Sequence, residues 1–264
     1  MGCASLTNVT MNVGMKSIGS YSFSGCSGMP AVELPEGMTS VGGYAFSGCS
    51  KLTEIKIPAS VAQLGDYALS GCTAIEKVVI PEGTGVLGSY IFNGCAALTD
   101  VVLPESVSNI NSYAFQNCTA LERLKVPKGV RYMGYGLFAG CAALKELTIP
   151  FVGSCRGNAD TSDAFFSYMF ADYGFEGGYR IEQLYISRGY RYSQYAYLPT
   201  NLTSVILTDE SRLGYDAFVN CASLTNVGLN VGVESIGSYS FAGCNGMPSI
   251  NLPEGLTVVG DNAF

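Results

Sequence analysis

The sequence contains no histidine and no tryptophan, and only 13 % of its 264 residues are charged. Without histidine, the chain lacks the usual neutral-pH general base and the commonest transition-metal ligand. Its 14 lysines and arginines are outnumbered by 21 acidic residues and do not cluster, which argues against nucleic-acid binding. No apolar run approaches the roughly 20 residues that span a bilayer. We therefore expect no enzyme, no cofactor or metal site, no nucleic-acid partner and no membrane span in this segment.

The residues that are abundant follow a period of 23. A unit reads Cys-x-x-Leu-x-x-Val-x-Ile-Pro, then a short polar turn, then Val-x-x-Ile-Gly-x-x-Ala-Phe-x-x-Cys. Proline, glycine and phenylalanine columns keep the same step as the cysteines. A fixed period of 20–50 residues predicts a solenoid built from stacked coils. The cysteines of the column are Cys3, Cys26, Cys49, Cys72, Cys95, Cys118 and Cys141, followed by Cys221 and Cys244.

Each unit predicts one coil. Val101 and Leu103 fall on one face of a short strand that ends at Pro104, where the missing N–H of proline interrupts no ladder bond. On the return side, the apolar positions between Ile110 and Cys118 have the spacing of a short helical or 3₁₀ stretch that points inward. Stacking then gives each coil a shared core that it lacks alone.

The repeat organises nearly the whole chain. The Leu-x-x-Val-x-Ile template occurs eleven times, so residues 1–264 are predicted to form one solenoid of about eleven coils. One of these coils is placed at Ile181, and residues 151–200 are predicted to form irregular, longer coils rich in tyrosine. Residues 221–264 are a near-copy of residues 3–46, with 31 of 44 positions identical.

The unit Cys-Thr-Ala-Leu-Glu-Arg-Leu-Lys-Val-Pro at 118–127, with returns of the Ile-Gly-Ser-Tyr-Ser-Phe type, resembles the BspA-like leucine-rich repeats. This resemblance implies a leucine-rich-repeat solenoid with a parallel β-sheet on one face and short helical, 3₁₀ and turn returns on the other. Members of that family are surface or secreted proteins of host-associated bacteria and some anaerobic protists, and they are implicated in adhesion.

The resemblance therefore implies a non-enzymatic, cell-surface or secreted adhesion or ligand-binding segment. Its expected partner is a host or microbial surface protein or glycan. The alternative is a structural stalk or a self-assembling, filament-forming module. When the last residue is placed before the first, the resulting sequence Phe264-Met1-Gly2-Cys3 has the same Phe-x-Gly-Cys pattern as residues 46–49. This match predicts that the ends of the segment stack either on further repeats of a parent chain or on identical subunits.

The cysteine column has two interpretations. Neighbouring coils lie about 4.8 Å apart, a spacing that allows disulfides between them. However, each cysteine of the column follows the inward phenylalanine, where a small apolar residue suits the core, and this position predicts buried free thiols. No Cys-x-x-Cys pair occurs, so zinc spacing is missing. Cys155 alone lies off the column, where it can be exposed.

Charged residues of alternating sign occupy the outward strand position on consecutive coils. They are Glu54, Lys77, Asp100, Arg123 and Glu146. Opposite charges on neighbouring strands predict a self-neutralising ladder that helps to keep the strands in register. A binding face for a charged partner is the alternative, although such a face would carry one sign.

Residues 165–198 are the richest candidate surface, since they hold eight of the 17 tyrosines with arginines interleaved. Tyrosine and arginine are favoured at recognition surfaces because they combine a large contact area with polar tips. In the alternative interpretation, the aromatic residues only cover the irregular core of the longer coil. The candidate partner-binding residues are Tyr179, Arg180, Arg188, Tyr190, Arg191, Tyr192, Tyr195 and Tyr197.

Overall fold

The computed structural model describes residues 2–156, 164–171, 179–187 and 190–264, with the backbone alone for 179–187 and 190–194. The chain forms a parallel-strand β-solenoid of about nine turns, and this architecture confirms the predicted leucine-rich-repeat type of fold. A regular turn carries one strand of two residues and one strand of three or four residues, which lie on different sides of the coil.

The two-residue strands form the short-strand face. They pair in parallel as one six-stranded and one three-stranded sheet. The second residue of each strand is buried, except in the last strand, Val258–Val259. The six-stranded sheet consists of β1 (Ser17–Ile18), β3 (Ser40–Val41), β5 (Gln63–Leu64), β7 (Val86–Leu87), β9 (Asn109–Ile110) and β11 (Tyr132–Met133), and the three-stranded sheet consists of β16 (Arg212–Leu213), β18 (Ser235–Ile236) and β19 (Val258–Val259).

The other strands form the long-strand face, where the middle residue is buried and its two neighbours point outward. The strands are β2 (Ala31–Glu33), β4 (Glu54–Lys56), β6 (Lys77–Val79), β8 (Asp100–Val102), β10 (Arg123–Lys125), β12 (Glu146–Ile149), β15 (Ser204–Leu207) and β17 (Asn226–Gly228). Their pairing is interrupted, because β2–β4, β6–β8 and β10–β12–β15–β17 are three separate parallel sheets.

The return segments differ from the predicted short helices. They are consecutive hydrogen-bonded turns, as where Ser47 N donates to Tyr44 O and Cys49 N donates to Phe46 O. Tyr44 and Gly48 adopt left-handed φ angles of 56° and 73°, which break a right-handed helical path. Within the described residues, the one helix is a 3₁₀ helix, Phe166–Phe170, and it lies outside the regular repeat.

The core consists of the inward columns that the sequence repeats. Most phenylalanines of the column are fully buried, and Phe92 and Phe115 stack with ring centroids 5.4 Å apart. Glycines allow neighbouring coils to approach closely: a Cβ atom on Gly88 would lie 2.5 Å from the carbonyl carbon of Gly65. This backbone approach explains why the position is glycine in most coils.

The prediction of a separate coil at Ile181 is wrong. Strand β12 pairs directly with β15 in the register Glu146↔Ser204, so the chain between them is one long coil rather than two. Ile181 lies instead in an antiparallel hairpin of β13 (Tyr179–Ser187) and β14 (Tyr190–Leu198). The template could not separate these cases, because alternation along one strand does not specify the strand with which it pairs.

Candidate binding surface

The hairpin is the largest departure from the repeat, and it contains most of the candidate binding residues. Its backbone register places Arg180 opposite Tyr197 and Arg191 opposite Ile186. Arg188 lies outside the described residues. The candidate residues that the register brings into this one unit are Tyr179, Arg180, Tyr190, Arg191, Tyr192, Tyr195 and Tyr197.

The final residues of β14 connect the hairpin to the core. Ala196 and Leu198 are buried, whereas Tyr195 and Tyr197, on the alternate positions, are half-buried. Ala171, directly after the 3₁₀ helix, forms an antiparallel bridge with Ala196. This end of the hairpin therefore has an apolar side against the solenoid and a tyrosine side that solvent partly reaches.

The 3₁₀ helix provides the return segment of the long coil. Phe138 N donates to Met169 O at 2.8 Å on one side, and Phe166 N donates to Ala217 O at 2.8 Å on the other. The Phe166 ring lies 5.1 Å from that of Phe218, which continues the phenylalanine column across the long coil. Phe166 and Phe170 thus cover this part of the core, and Tyr168 packs against it.

A buried glutamate fixes the base of the long coil. The Glu210 carboxylate accepts a hydrogen bond from Val152 N at 2.9 Å, although Val152 precedes it by 58 residues. Asn230 Nδ2 donates to Glu210 O at 2.8 Å, and Arg156 forms an ion pair with Asp209. Burial raises the pKa of Glu210, while backbone N–H groups, Val152 first, oppose that shift. These contacts join the segments before and after the hairpin.

Charges on the long-strand face form separate pairs rather than the predicted continuous ladder. Lys77 pairs with Asp100 at 2.7 Å and Arg123 with Glu146 at 2.9 Å, both across hydrogen-bonded strands. Among the described residues, no ion pair joins Glu54 to Lys77 or Asp100 to Arg123, where the sheet is interrupted. These side chains are at least half exposed, so each pair contributes little to stability.

A stack of tyrosines on the return side was not predicted. Neighbouring ring centroids lie 4.4 to 4.7 Å apart, and the ring planes are within 15° of parallel. All five residues have left-handed φ angles between 56° and 61°. The signal is present in the sequence as tyrosine recurring two residues before the phenylalanine column. The stacked residues are Tyr21, Tyr44, Tyr67, Tyr90 and Tyr113.

The cysteines carry free thiols. Eight are buried, whereas Cys3 is exposed and Cys155 is half-buried. A column thiol typically donates to the backbone carbonyl of the residue 26 positions earlier, as Cys118 Sγ does to Phe92 O at 3.2 Å. Burial raises the pKa of Cys95 and Cys141 to about 12. Thiols in this environment are protonated and unreactive at neutral pH.

Over the part of the chain that the structure describes, cysteine, aspartate and glutamate side chains form no group of three or more suited to a metal ion. These residues also include no helix with the length and apolar content that crossing a membrane requires.

Comparison with known proteins identifies the repeat. The protein-family model described as BspA type leucine rich repeat region matches six copies in this chain, over residues 1–95, 42–159 and 190–264. No curated protein matches the chain.

Solved leucine-rich repeat structures are similar over parts of their length. The T. pallidum leucine rich repeat protein TpLRR is 36 % identical, with a TM-score of 0.49, over 50 % of this chain and 62 % of that chain, less than two thirds of its length. A leucine rich cell surface protein from Faecalibacterium prausnitzii A2-165 is 26 % identical, with a TM-score of 0.49, over 94 % of this chain and 67 % of that chain. Because the matching family model covers most of the sequence, the chain belongs to the BspA-type leucine-rich repeat family.

Proposed function

We propose that this chain is a non-enzymatic adhesion or ligand-binding segment of a cell-surface or secreted protein, with the hairpin as its contact surface. The observation that carries the proposal is the hairpin itself, a tyrosine- and arginine-rich unit on a coil whose base is fixed by Glu210. Family membership supports the setting, because BspA-type repeat proteins are usually surface or secreted bacterial proteins and are typically non-enzymatic.

The hairpin suits recognition for a physical reason. Backbone pairing from Tyr179↔Leu198 to Ser187↔Tyr190 limits the conformations of the free protein, so less entropy is lost when a partner binds. Tyrosine rings supply contact area to a protein or a sugar ring, and guanidinium groups donate hydrogen bonds to carboxylates. The expected partner is therefore a host or microbial surface protein or a glycan.

The test is a binding screen of glycans and matrix proteins with the parent chain and a variant carrying Tyr190→Ser, Arg191→Ser and Tyr192→Ser. Removing three anchor side chains should lower the affinity for any partner found at least about tenfold. The melting temperature should change by no more than about two degrees, because the three residues begin β14 at the end of the hairpin opposite the buried Ala196 and Leu198.

The matched control replaces Arg131 and Tyr215 with serine, since both side chains are exposed and lie outside the hairpin. This variant should bind as the parent does. If the hairpin variant binds normally, or if it unfolds without a separable loss of binding, the hairpin is not the contact surface.

A structural stalk or self-assembling module is the second candidate function, and the uniform parallel pairing of successive coils, as in Ser40↔Gln63 and Gln63↔Val86, favours it. Light scattering over a hundredfold concentration range tests self-association: rods support it, and a mass fixed at 27.8 kDa contradicts it.

A further inference from the structure

The stacked tyrosines belong to a surface that carries almost no charge. The return segments of the five coils that hold the stack contain one charged residue, Asp66. Apart from Asp66, the residues one before and three after each tyrosine are glycine, serine, asparagine or glutamine. These return segments form the tyrosine strip, which consists of residues 19–25, 42–48, 65–71, 88–94 and 111–117.

The tyrosine strip exposes ring edges and phenol groups rather than ring faces. Neighbouring rings cover each other's faces at centroid distances of 4.4 to 4.7 Å. Tyr21 is 52 % exposed, and the other four tyrosines are half-buried. The phenol groups of Tyr44 and Tyr67 lie at the protein surface. A binding partner therefore meets phenol groups that recur with the period of the coils.

A row of polar side chains runs beside the tyrosines. Asn93 Nδ2 donates to Gln116 Oε1 at 2.6 Å, and Ser70 Oγ donates to Asn93 O at 3.2 Å. Hydroxyl and amide side chains both donate and accept hydrogen bonds, and they carry no charge. The row is half-buried in all five coils and consists of Ser24, Ser47, Ser70, Asn93 and Gln116.

Backbone hydrogen bonds hold the tyrosine strip in one conformation. Tyr44 N donates to Asp66 O at 2.8 Å, which ties this tyrosine to the next coil. Tyr67 N donates to Ser89 O at 2.8 Å in the same way. A surface that is ordered before a partner arrives loses little entropy on binding.

We propose that the tyrosine strip binds a linear neutral polysaccharide, with the sugar chain lying across successive coils. Tyrosine supplies a large, rigid contact area, and serine, glycine and asparagine supply adaptable hydrogen bonds, a composition that antibody combining sites share. Hydroxyl and amide side chains exchange hydrogen bonds with the sugar hydroxyls, while the ring edges pack against sugar C–H groups. The strip and the hairpin are different surfaces, so this contact goes beyond the proposed function.

Charge and periodicity favour a neutral polysaccharide over a protein. A protein surface carries charged groups, and burying one against the strip without a counter-charge costs free energy. A polymer of identical sugars engages equivalent groups on successive coils, so that weak contacts add along the strip. In residues 214–262 the same turns carry Asp216 and Asp261, and Tyr239 meets Tyr215 edge-on instead of in a stack. The proposed site is therefore confined to the five coils of the strip.

Affinity electrophoresis tests the site with three soluble neutral polysaccharides, namely laminarin, hydroxyethyl cellulose and galactomannan. The chain has a net charge of −7 and migrates toward the anode in a native gel, where a cast polysaccharide retards any protein that binds it. At least one of the three should retard the parent chain relative to bovine serum albumin.

The decisive variant carries Tyr44→Asn and Tyr67→Asn. Asparagine tolerates the left-handed backbone of these positions, and Asp216 and Asn262 occupy the equivalent positions with φ angles of 59° and 51°. The variant should bind the retarding polysaccharide at least about tenfold more weakly. Tyr239→Asn, the same substitution at the same position of a coil outside the strip, is the matched control and should bind as the parent does.

A second variant, Ser24→Glu with Ser47→Glu, keeps every tyrosine and places charge in the polar row, so it should also lose retardation. The hairpin variant described above should be retarded as the parent is, which separates this proposal from the proposed function. The proposal is overturned if none of the three polysaccharides retards the parent, or if the hairpin variant loses retardation. Equal weakening by Tyr239→Asn and by the double tyrosine variant would also overturn it, and circular dichroism verifies that the variants are folded.

Discussion

Thiol titration tests whether the cysteine column is a reduced core element. We expect two thiols of the native protein, those of Cys3 and Cys155, to react with Ellman's reagent at pH 8. The other eight should react only after denaturation in guanidinium without reductant, because they are buried.

The expected difference in reaction rate between buried and exposed thiols is large even without the effect of reagent access. The thiolate is the reacting species, and burial raises the pKa of Cys95 and Cys141 to about 12. At pH 8 such a thiol is ionised in about one molecule in ten thousand, whereas an ordinary cysteine with a pKa of about 8.5 is ionised in about one in four. The thiols of Cys95 and Cys141 should therefore react more than about a thousandfold more slowly.

A variant with Cys3→Ser and Cys155→Ser provides the control, with no reactive thiol when native and eight when denatured. If the denatured, unreduced parent still withholds eight or more thiols, the column is disulfide-bonded and the interpretation of free thiols is wrong. If the native parent titrates many more than two, the column is not buried as described.

Two further predictions concern stability. Gly88→Ala should lower the free energy of unfolding by at least about 2 kcal/mol in denaturant titrations, because the new Cβ would lie 2.5 Å from the backbone of Gly65. Gly85→Ala, with open space around its Cβ, should change it by less than about 1 kcal/mol, and equal effects would contradict the close approach of coils. The second prediction is alkaline destabilisation. The folded-state pKa of Cys95 and Cys141, about 12, exceeds the unfolded value of about 8.5, so their contribution is complete below pH 8.5 and is lost as the pH rises toward 12. The loss is up to about 1.4 kcal/mol per pH unit for each thiol, and urea titrations from pH 8 to 11 that show constant stability would exclude it.

The sequence predicted the solenoid because the inward positions repeat with fixed spacing. Cys95, Phe92 and Val101 are buried as their columns require, since each coil must present the same apolar positions to its neighbours. In these coils the local sequence pattern and the overall fold agree, so the structure predicted for one repeat unit applies to most of the chain.

What the sequence did not predict depends on backbone conformation or on distant pairing. Left-handed tyrosines such as Tyr44 replace the expected helical return, although residue type alone favours that region mainly for glycine and asparagine. Ile181 fits the strand template, but only its antiparallel pairing with Ala196 excludes it from the ladder. Likewise, the sign alternation at Glu54 and Lys77 could not indicate that the sheet is interrupted between their strands.

The candidate surface was predicted only as a composition. The sequence identified the tyrosine- and arginine-rich segment, and the structure adds the hairpin register and the burial of Ala196 and Leu198. The contact between Glu210 and Val152 could not be predicted, because it joins residues 58 positions apart across an irregular segment.

The direct pairing of β12 with β15 leaves the outer end of the hairpin as a place where length is free to diverge. The ladder closes beneath the excursion, and the excursion itself supplies Phe166, Phe170 and Leu198 to the core. Closing a flexible loop costs only about 0.6 kcal/mol more for each doubling of its length. Foreign segments of very different size should therefore be tolerated at nearly constant stability when they are inserted between Ser187, where β13 ends, and Tyr190, where β14 begins. This end of the hairpin is the natural position for grafting new loops, and for variation among copies of such arrays.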